Sequence, residues 1–96
     1  MIKHVVCFKV KDEYKNRLEE ARAKMLAMKD NIPYLISVEV GLDFLHSSRS
    51  YDLILSVVLN SKEDLDRYQE DQYHCSVVKT IMHEIRESSI AVDYEM

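Results

Sequence analysis

Residues 51–64, YDLILSVVLNSKED, contain a strand pattern followed at once by a helix start. Apolar residues alternate with others from Tyr51 to Leu59, which is typical of a β-strand with two distinct faces. Ser61 then precedes Asp64 by three residues, a spacing close to that of a capping box at a helix N-terminus. This segment therefore predicts a strand that passes directly into a helix.

Two further strands and a helix are predicted before this segment. Ile2 to Lys11 and Leu35 to Leu42 alternate in the same way, and the only glycine, Gly41, indicates a bulge or a close backbone approach. Between them, apolar residues recur every three or four positions from a candidate N-cap at Asp12 to a stop at Pro33, as in an amphipathic helix. The predicted helix stripe consists of Tyr14, Leu18, Ala21, Met25, Met28 and Ile32.

A second helix and a fourth strand complete the pattern. The helix that starts at Ser61 resumes at about Tyr73 and continues through Arg86, and Ile90 to Glu95 alternates again. The order strand, helix, strand, strand, helix, strand predicts an α+β, ferredoxin-like (split βαβ) sandwich. Its four-stranded antiparallel sheet would carry both helices on one face.

Composition limits the classes of protein that fit. The 96 residues, 47% hydrophobic and 31% charged, suit one domain over residues 1–96. A net charge of −4 without a Lys/Arg cluster argues against a nucleic-acid partner. Because there is no basic leader and no membrane-length apolar run, we expect a cytoplasmic protein with no membrane partner. Cys7 and Cys75 lack a CxxC spacing, so we expect two buried reduced thiols, although a disulfide stays open.

The face of the sheet away from the helices also carries apolar residues. The alternation assigns to this face Val5, Cys7, Leu35, Ser37, Asp52, Ile54, Ser56, Val58, Ala91 and Asp93. An uncovered apolar face usually needs a partner, and two such sheets can pack about a two-fold axis. We therefore expect a homodimer formed through the open sheet face, the alternative being a mostly solvated face.

Tyr68 and His74, six residues apart around a helix start, are the best candidates for chemistry. His4 lies on the strand face assigned to the helices, so the three side chains would meet in the helix–sheet cleft. A tyrosine hydroxyl can polarise a carbonyl group, and a histidine with a near-neutral pKa can remove or return a proton. The alternative is structural: a core histidine satisfied by one hydrogen bond and a tyrosine that only packs. We expect His46 and His83 to lie outside this cluster.

A metal site needs three or four converging ligands. Only His4 and His74 are predicted to meet, and Cys75 points elsewhere. The sequence therefore predicts no metal, and no motif marks a cofactor.

Five motifs follow one another along the chain: Ile2-Lys3-His4-Val5-Val6, the strand from Ile36 to Gly41, Ser50-Tyr51-Asp52-Leu53, the Tyr68 to His74 spacing, and Val92-Asp93-Tyr94. In this order they resemble the stress-responsive A/B barrel (Dabb) domain family, of the dimeric alpha-beta barrel superfamily, nearly from end to end. The resemblance implies a ferredoxin-like fold whose homodimer closes two sheets into an alpha-beta barrel.

The resemblance also implies a site. A plant polyketide cyclase of the family catalyses an aldol-type ring closure with a tyrosine and a histidine that match Tyr68 and His74, and His4 matches a pocket histidine. Leu53 stands where that cyclase has a further pocket histidine, and Asp71-Gln72 replaces a common His-Pro pair. The cleft is thus less polar than the cyclase's, so its substrate does not carry over.

We expect a small dimeric protein that binds a small, partly apolar molecule, with His4, Leu53 and Met25 lining the cleft. If it is an enzyme, the predicted chemistry is cofactor-free proton transfer of the cyclase or isomerase type, with His74 as base or acid and Tyr68 as hydrogen-bond donor. One alternative is a non-catalytic, stress-linked structural protein whose cleft is filled by methionines. A second alternative is a cofactor-free monooxygenase of the dimeric barrel type.

Overall fold

One four-stranded antiparallel sheet forms the base of the molecule. The computed structural model describes residues 1–96, and its strands are β1 (Ile2–Val10), β2 (Ser37–Leu42), β3 (Leu53–Leu59) and β4 (Arg86–Glu95). Their order in the sheet is β2-β3-β1-β4, and each neighbouring pair is antiparallel. The helices pack on one face through a single apolar core. The predicted α+β, ferredoxin-like fold is therefore confirmed.

Both predicted helices are present, and each is divided into shorter segments. The first contains a 3₁₀ segment (Asp12–Arg17), α1 (Leu18–Leu26) and α2 (Met28–Asn31), and the second contains α3 (Lys62–Glu70), a π-helical turn (His74–Val78) and α4 (Lys79–Ile85). None of the helices has the length and apolar character needed to cross a membrane.

The two helical regions begin differently. Ser61 accepts a hydrogen bond from the backbone N–H of Asp64 at 3.2 Å, which confirms it as the cap of α3. The Asp64 carboxylate accepts from Arg67 at 3.1 Å and so does not complete the predicted capping box. The expected cap at Asp12 is wrong, because this residue begins the 3₁₀ segment and no side chain caps it.

The core lies between the sheet and the helices. Of the predicted helix stripe, Ala21, Met25, Met28 and Ile32 are fully buried, and Tyr14 and Leu18 are partly buried. The strands contribute Ile2, Phe8, Val10, Val40, Leu53, Leu55, Val57 and Leu59. Full burial of a large aliphatic side chain contributes about 1.5–3 kcal/mol, so this core is the main force that holds the helices over the sheet.

The opposite face of the sheet has no covering layer. Cross-strand pairing places on this open face Lys3, Val5, Cys7, Ser37, Glu39, Ile54, Ser56, Val58, Ile90, Val92 and Tyr94. The face is thus more apolar along β4 than the sequence pattern predicts.

Four residues predicted for the open face lie elsewhere. Leu35 and Asp52 precede β2 and β3, and both are buried. Asp93 pairs directly with His4 across the sheet, and directly paired residues share a face, so Asp93 and Ala91 lie on the helix side. Alternation alone gives two faces for β4 but does not say which one the helices cover.

Gly41 does not mark a bulge, because the pairing of β2 with β3 is unbroken there. The one register shift lies between Lys9 and Val10, opposite the start of β4. A close approach is present, since a Cβ atom on Gly41 would lie 3.1 Å from Cγ2 of Ile54. Glycine thus leaves room for the isoleucine of the neighbouring strand.

Cys7 and Cys75 are both free thiols. Cys7 is half-buried on the open face, whereas Cys75 is exposed on the π-helical turn. Neither thiol is fully buried, so the expectation of two buried thiols is wrong.

Candidate functional site

A cavity of about 180 Å³ between the helices and the sheet is lined by His4, Tyr68 and His74. β1 supplies His4, α3 supplies Tyr68, and the π-helical turn supplies His74. The structure thus brings the three predicted side chains onto one cavity. π-Helical turns are rare and occur frequently at functional sites.

Tyr68 and His74 are stacked. Their ring centroids are 4.1 Å apart and their planes differ by 19°, while the His4 ring approaches Tyr68 edge-on at 5.7 Å. Asp71 lies between the stacked residues in sequence, and its carboxylate accepts a hydrogen bond from the His74 backbone N–H at 3.0 Å. That bond fixes the direction of the chain where it leaves α3, and so holds the two rings together.

His74 is a neutral imidazole in this setting. Its Nδ1 lies 3.0 Å from the main-chain oxygen of Tyr68, which can only accept, so Nδ1 carries the proton. Burial lowers the pKa of His74 to about 4, and that main-chain hydrogen bond opposes the shift without cancelling it. Its Nε2 has no partner in the protein and is not fully enclosed. His74 therefore offers an unprotonated nitrogen at the cavity.

His4 is oriented by a carboxylate. Its Nδ1–H donates to Oδ1 of Asp93 on the neighbouring strand. The side chain of Asp93 is about half exposed, whereas that of His4 is buried. A partner at Nδ1 fixes the tautomer and ring orientation, so the Nε2 of His4 is the second imidazole nitrogen free for a ligand.

The hydroxyl of Tyr68 has only a weak partner. The side chain is fully buried, and the hydroxyl donates to Sδ of Met28 at 3.7 Å. Burial raises the pKa of Tyr68, so the phenol keeps its proton at neutral pH. A thioether sulfur is a poor acceptor. The hydroxyl would therefore gain a stronger hydrogen bond by donating to a ligand oxygen.

Met25 and Leu53, the other two residues predicted to bind ligand, do not line this cavity. They are 0% and 2% exposed and pack within the core. His83 is exposed, yet it belongs to the cavity lining, so the expectation that it lies outside the cluster is wrong. The lining residues that sequence reasoning missed are Val6, Phe8, Leu55, Gln69, Val78, Lys79, Met82 and Arg86.

A helical spacing in the sequence could have found some of these. Val78, Met82 and Arg86 follow His74 at intervals of four residues, which places them along one helix side. Starting from His74, this spacing would have added both an apolar wall and a cation to the predicted site.

A larger polar concavity of about 310 Å³ lies near Asp52 and also includes His46. Asp52 accepts from the Val10 backbone N–H at 2.7 Å and from Lys15 Nζ at 2.8 Å. Burial alone would raise the pKa of Asp52, but these two hydrogen bonds outweigh it and lower the pKa. Because the carboxylate is already satisfied, we assign it a structural role that ties β1 and the 3₁₀ segment to β3.

Many solved structures share this architecture. A dimeric ferredoxin-like protein of unknown function from Thermobifida fusca has 20% sequence identity and a TM-score of 0.87, over 99% of this chain and 90% of that one. A dimeric protein of unknown function and ferredoxin-like fold from Bacteroides fragilis has 26% identity and a TM-score of 0.79, over 99% and 95%. The hydroxynitrile lyase from Passiflora edulis has 11% identity and a TM-score of 0.85, over 99% and 92%.

Sequence comparison gives the family. No curated protein matches the chain. The family model described as Stress responsive A/B Barrel Domain (Dabb) matches residues 2–96, which is nearly the whole chain. The chain therefore belongs to the stress-responsive A/B barrel (Dabb) domain family.

Proposed function

We propose that this protein binds a small, partly apolar carbonyl compound in the cavity and transfers a proton next to its carbonyl group without a cofactor. The observation that carries the proposal is the neutral His74 imidazole, with Nε2 free, stacked on a buried Tyr68 whose hydroxyl has only a sulfur partner. The two groups supply a base and a hydrogen-bond donor side by side.

The size and walls of the cavity support a small ligand. Its volume of about 180 Å³ is below the roughly 300 Å³ at which sites for drug-sized ligands begin. Half of its lining residues are hydrophobic. Met25 and Met28 are packed in the core, yet the cavity stays open, which favours ligand binding over a cleft filled by methionines.

In the proposed reaction, His74 Nε2 takes a proton from the carbon next to the carbonyl. The C–H electron pair forms a carbon–carbon double bond, and negative charge develops on the carbonyl oxygen. Tyr68 leaves Met28 and donates its hydroxyl hydrogen bond to that oxygen, which stabilises the developing charge. The imidazolium then returns the proton, to the same carbon or to another atom of the ligand.

We also propose that two copies pair through their open sheet faces. Val92 and Tyr94 are 59% and 47% exposed there, beside the half-buried Val5. An exposed apolar face of this kind favours association. The Thermobifida fusca and Bacteroides fragilis proteins of the same fold are dimeric.

Deuterium exchange into the methyl group of acetophenone, followed by proton NMR in D₂O, tests the reaction. We expect the wild-type protein to accelerate exchange and Tyr68→Phe to slow the catalysed rate roughly a hundredfold, because one donor to the developing charge is lost. His74→Gln should abolish the catalysed rate. Folding is checked by circular dichroism.

His46→Asn is the matched control, because it removes an exposed loop histidine outside the cavity. Asparagine tolerates the left-handed backbone of this position, where φ is 54°. Its exchange rate should equal that of the wild type. Catalysed exchange that persists unchanged in both Tyr68→Phe and His74→Gln would rule out the proposed roles.

A further inference from the structure

The cavity has an apolar interior and a cationic rim. Phe8, Leu55, Val78 and Met82 are buried in its walls, whereas Lys79 and Arg86 are half-buried and so lie where the cavity meets solvent. No aspartate or glutamate lines the cavity, although the chain has 17 acidic residues and a net charge of −4. The charge of the cavity lining is therefore positive, whereas the net charge of the chain is negative.

Neither cation of the rim has a carboxylate partner. Lys79 Nζ donates to the main-chain oxygen of Gln69 at 2.9 Å, and Arg86 donates to the hydroxyl of Ser89 at 3.1 Å. Both acceptors are uncharged. By contrast, the cations that pair with carboxylates are Lys15, Arg17, Arg22, Lys24, Lys62 and Arg67.

Both groups keep donors available for a ligand. An ammonium group has three N–H donors and a guanidinium group has five, and each of these side chains uses one in the hydrogen bonds described above. Lys79 begins α4 and Arg86 directly follows its end. Both residues line the cavity, so the two cations lie on the same side of the molecule.

We infer that the ligand is a small organic anion, with a carboxylate bound by Lys79 and Arg86 and an apolar body in the cavity beside His74. This inference rests on the proposed binding function and names its ligand class. The carboxylate accepts charge-assisted hydrogen bonds at the rim, which are stronger than those between neutral groups. The apolar walls then place the carbon chain or ring against the stacked rings of Tyr68 and His74.

The rim charge also acts on the proposed base. Burial is the main cause that lowers the pKa of His74, and the positive charge of Lys79 lowers it further. A carboxylate bound to Lys79 would offset part of that charge and raise the proton affinity of His74. Ligand binding would thus move the base toward the pKa that suits proton transfer at neutral pH.

Three matched pairs of acid and amide provide the test: benzoate and benzamide, phenylacetate and phenylacetamide, hexanoate and hexanamide. Binding is measured at pH 7 by titrating the ¹⁵N-labelled protein and following the amide resonances of the cavity residues. For at least one pair we expect the carboxylate to bind about tenfold or more tightly than the amide, because hydrogen bonds to charged groups are the stronger ones.

The Lys79→Gln/Arg86→Gln variant should lose this preference. Lys29→Gln/Arg49→Gln is the matched control, since it removes one lysine and one arginine that are exposed, lack ion pairs and lie outside the cavity. It should keep the preference, as should Arg86→Lys. Arg86→Gln alone gives the same test if the double variant does not fold, because it breaks only the bond to Ser89.

Each outcome decides between the two proposals. Equal binding of acid and amide at the cavity overturns the inferred ligand charge and leaves the proposed binding function in place. If Lys79→Gln/Arg86→Gln still binds the acid more tightly than the amide, the assignment of these two cations as the carboxylate site is overturned. Binding of none of the six compounds overturns both the inference and the proposed function.

Discussion

The ionisation of His74 is set by a conflict between burial and hydrogen bonding. Its side chain is stacked on Tyr68 and almost fully buried, which penalises the charged form. The single main-chain acceptor at Nδ1 favours the charged form of the ring, but by less than burial disfavours it. The folded protein therefore holds a neutral imidazole with a pKa of about 4, whereas the unfolded chain has an ordinary histidine.

Because the pKa of His74 differs between the folded and unfolded states, the free energy of unfolding falls as the pH falls within a defined window. The unfolded chain binds a proton to His74 below about pH 6.5, and the folded protein does so only near pH 4, so unfolding becomes easier as pH falls between those values. Solvent at the cavity rim weakens the effect, and we expect a loss on the order of 2 kcal/mol by pH 4. Urea unfolding at several pH values measures it.

His74→Phe should remove most of the slope of unfolding free energy in this window, and the control His46→Asn should keep it. The same slope in wild type and His74→Phe would show that another group causes the acid sensitivity.

The sequence identified the three polar rings that line the cavity but not its full lining. Tyr68, His74 and His4 stand out because polar rings interrupt apolar stripes that face each other in the fold. Periodicity tells which side of a helix or strand a residue occupies, but not how far along the cleft it lies. For that reason Met25 and Leu53, correctly assigned to the interior, lie in the core and away from the cavity.

α3 carries Tyr68 to the cavity, and its position depends on how the helix starts. The helix has nine residues and a single buried one, Tyr68, so its first turn has no fully buried side chain to hold it. Ser61 satisfies the backbone N–H of Asp64 at its N-terminus. A cap of this kind is worth about 1 kcal/mol.

Ser61→Ala should therefore lower the free energy of unfolding by about 1 kcal/mol, and Ser61→Asp should restore most of it, because aspartate caps as well as serine. Ser88→Ala, an exposed serine in β4, serves as control and should change stability little. Thermal and urea unfolding measure all three variants. Equal stability of Ser61→Ala and the wild type would show that α3 is fixed by its tertiary contacts instead.

At the level of elements, the sequence predicted the strands and the two helical regions, but not the irregular points. The π-helical turn at His74–Val78 keeps the apolar spacing of an ordinary helix, so no pattern separates it. β4 begins at Arg86, several residues before the alternation at Ile90 becomes apolar. Polar residues such as Ser88 belong to the strand because they pair with residues of β1.

As a whole, the molecule is one layer of helices on one sheet, and it leaves half of the sheet's surface uncovered. A chain of 96 residues buries only about 60–65% of the surface that its unfolded form exposes. Pairing of two open faces would bury apolar surface that a single chain leaves exposed to solvent. The cavity lies on the other side of the sheet, so pairing would not close it.

Val92→Lys tests this arrangement, because it places a charge on the open face, on a residue paired with Val5 and 59% exposed. An unpaired charge in an apolar interface carries a large desolvation cost, so we expect the dimer dissociation constant to rise by roughly a hundredfold or more. Sedimentation velocity over a range of concentrations measures the change. Leu26→Lys is the matched control, since it adds the same charge to a 38% exposed leucine on the helix layer and should leave the assembly unchanged. If Leu26→Lys dissociates the dimer and Val92→Lys does not, then two copies pair through their helices.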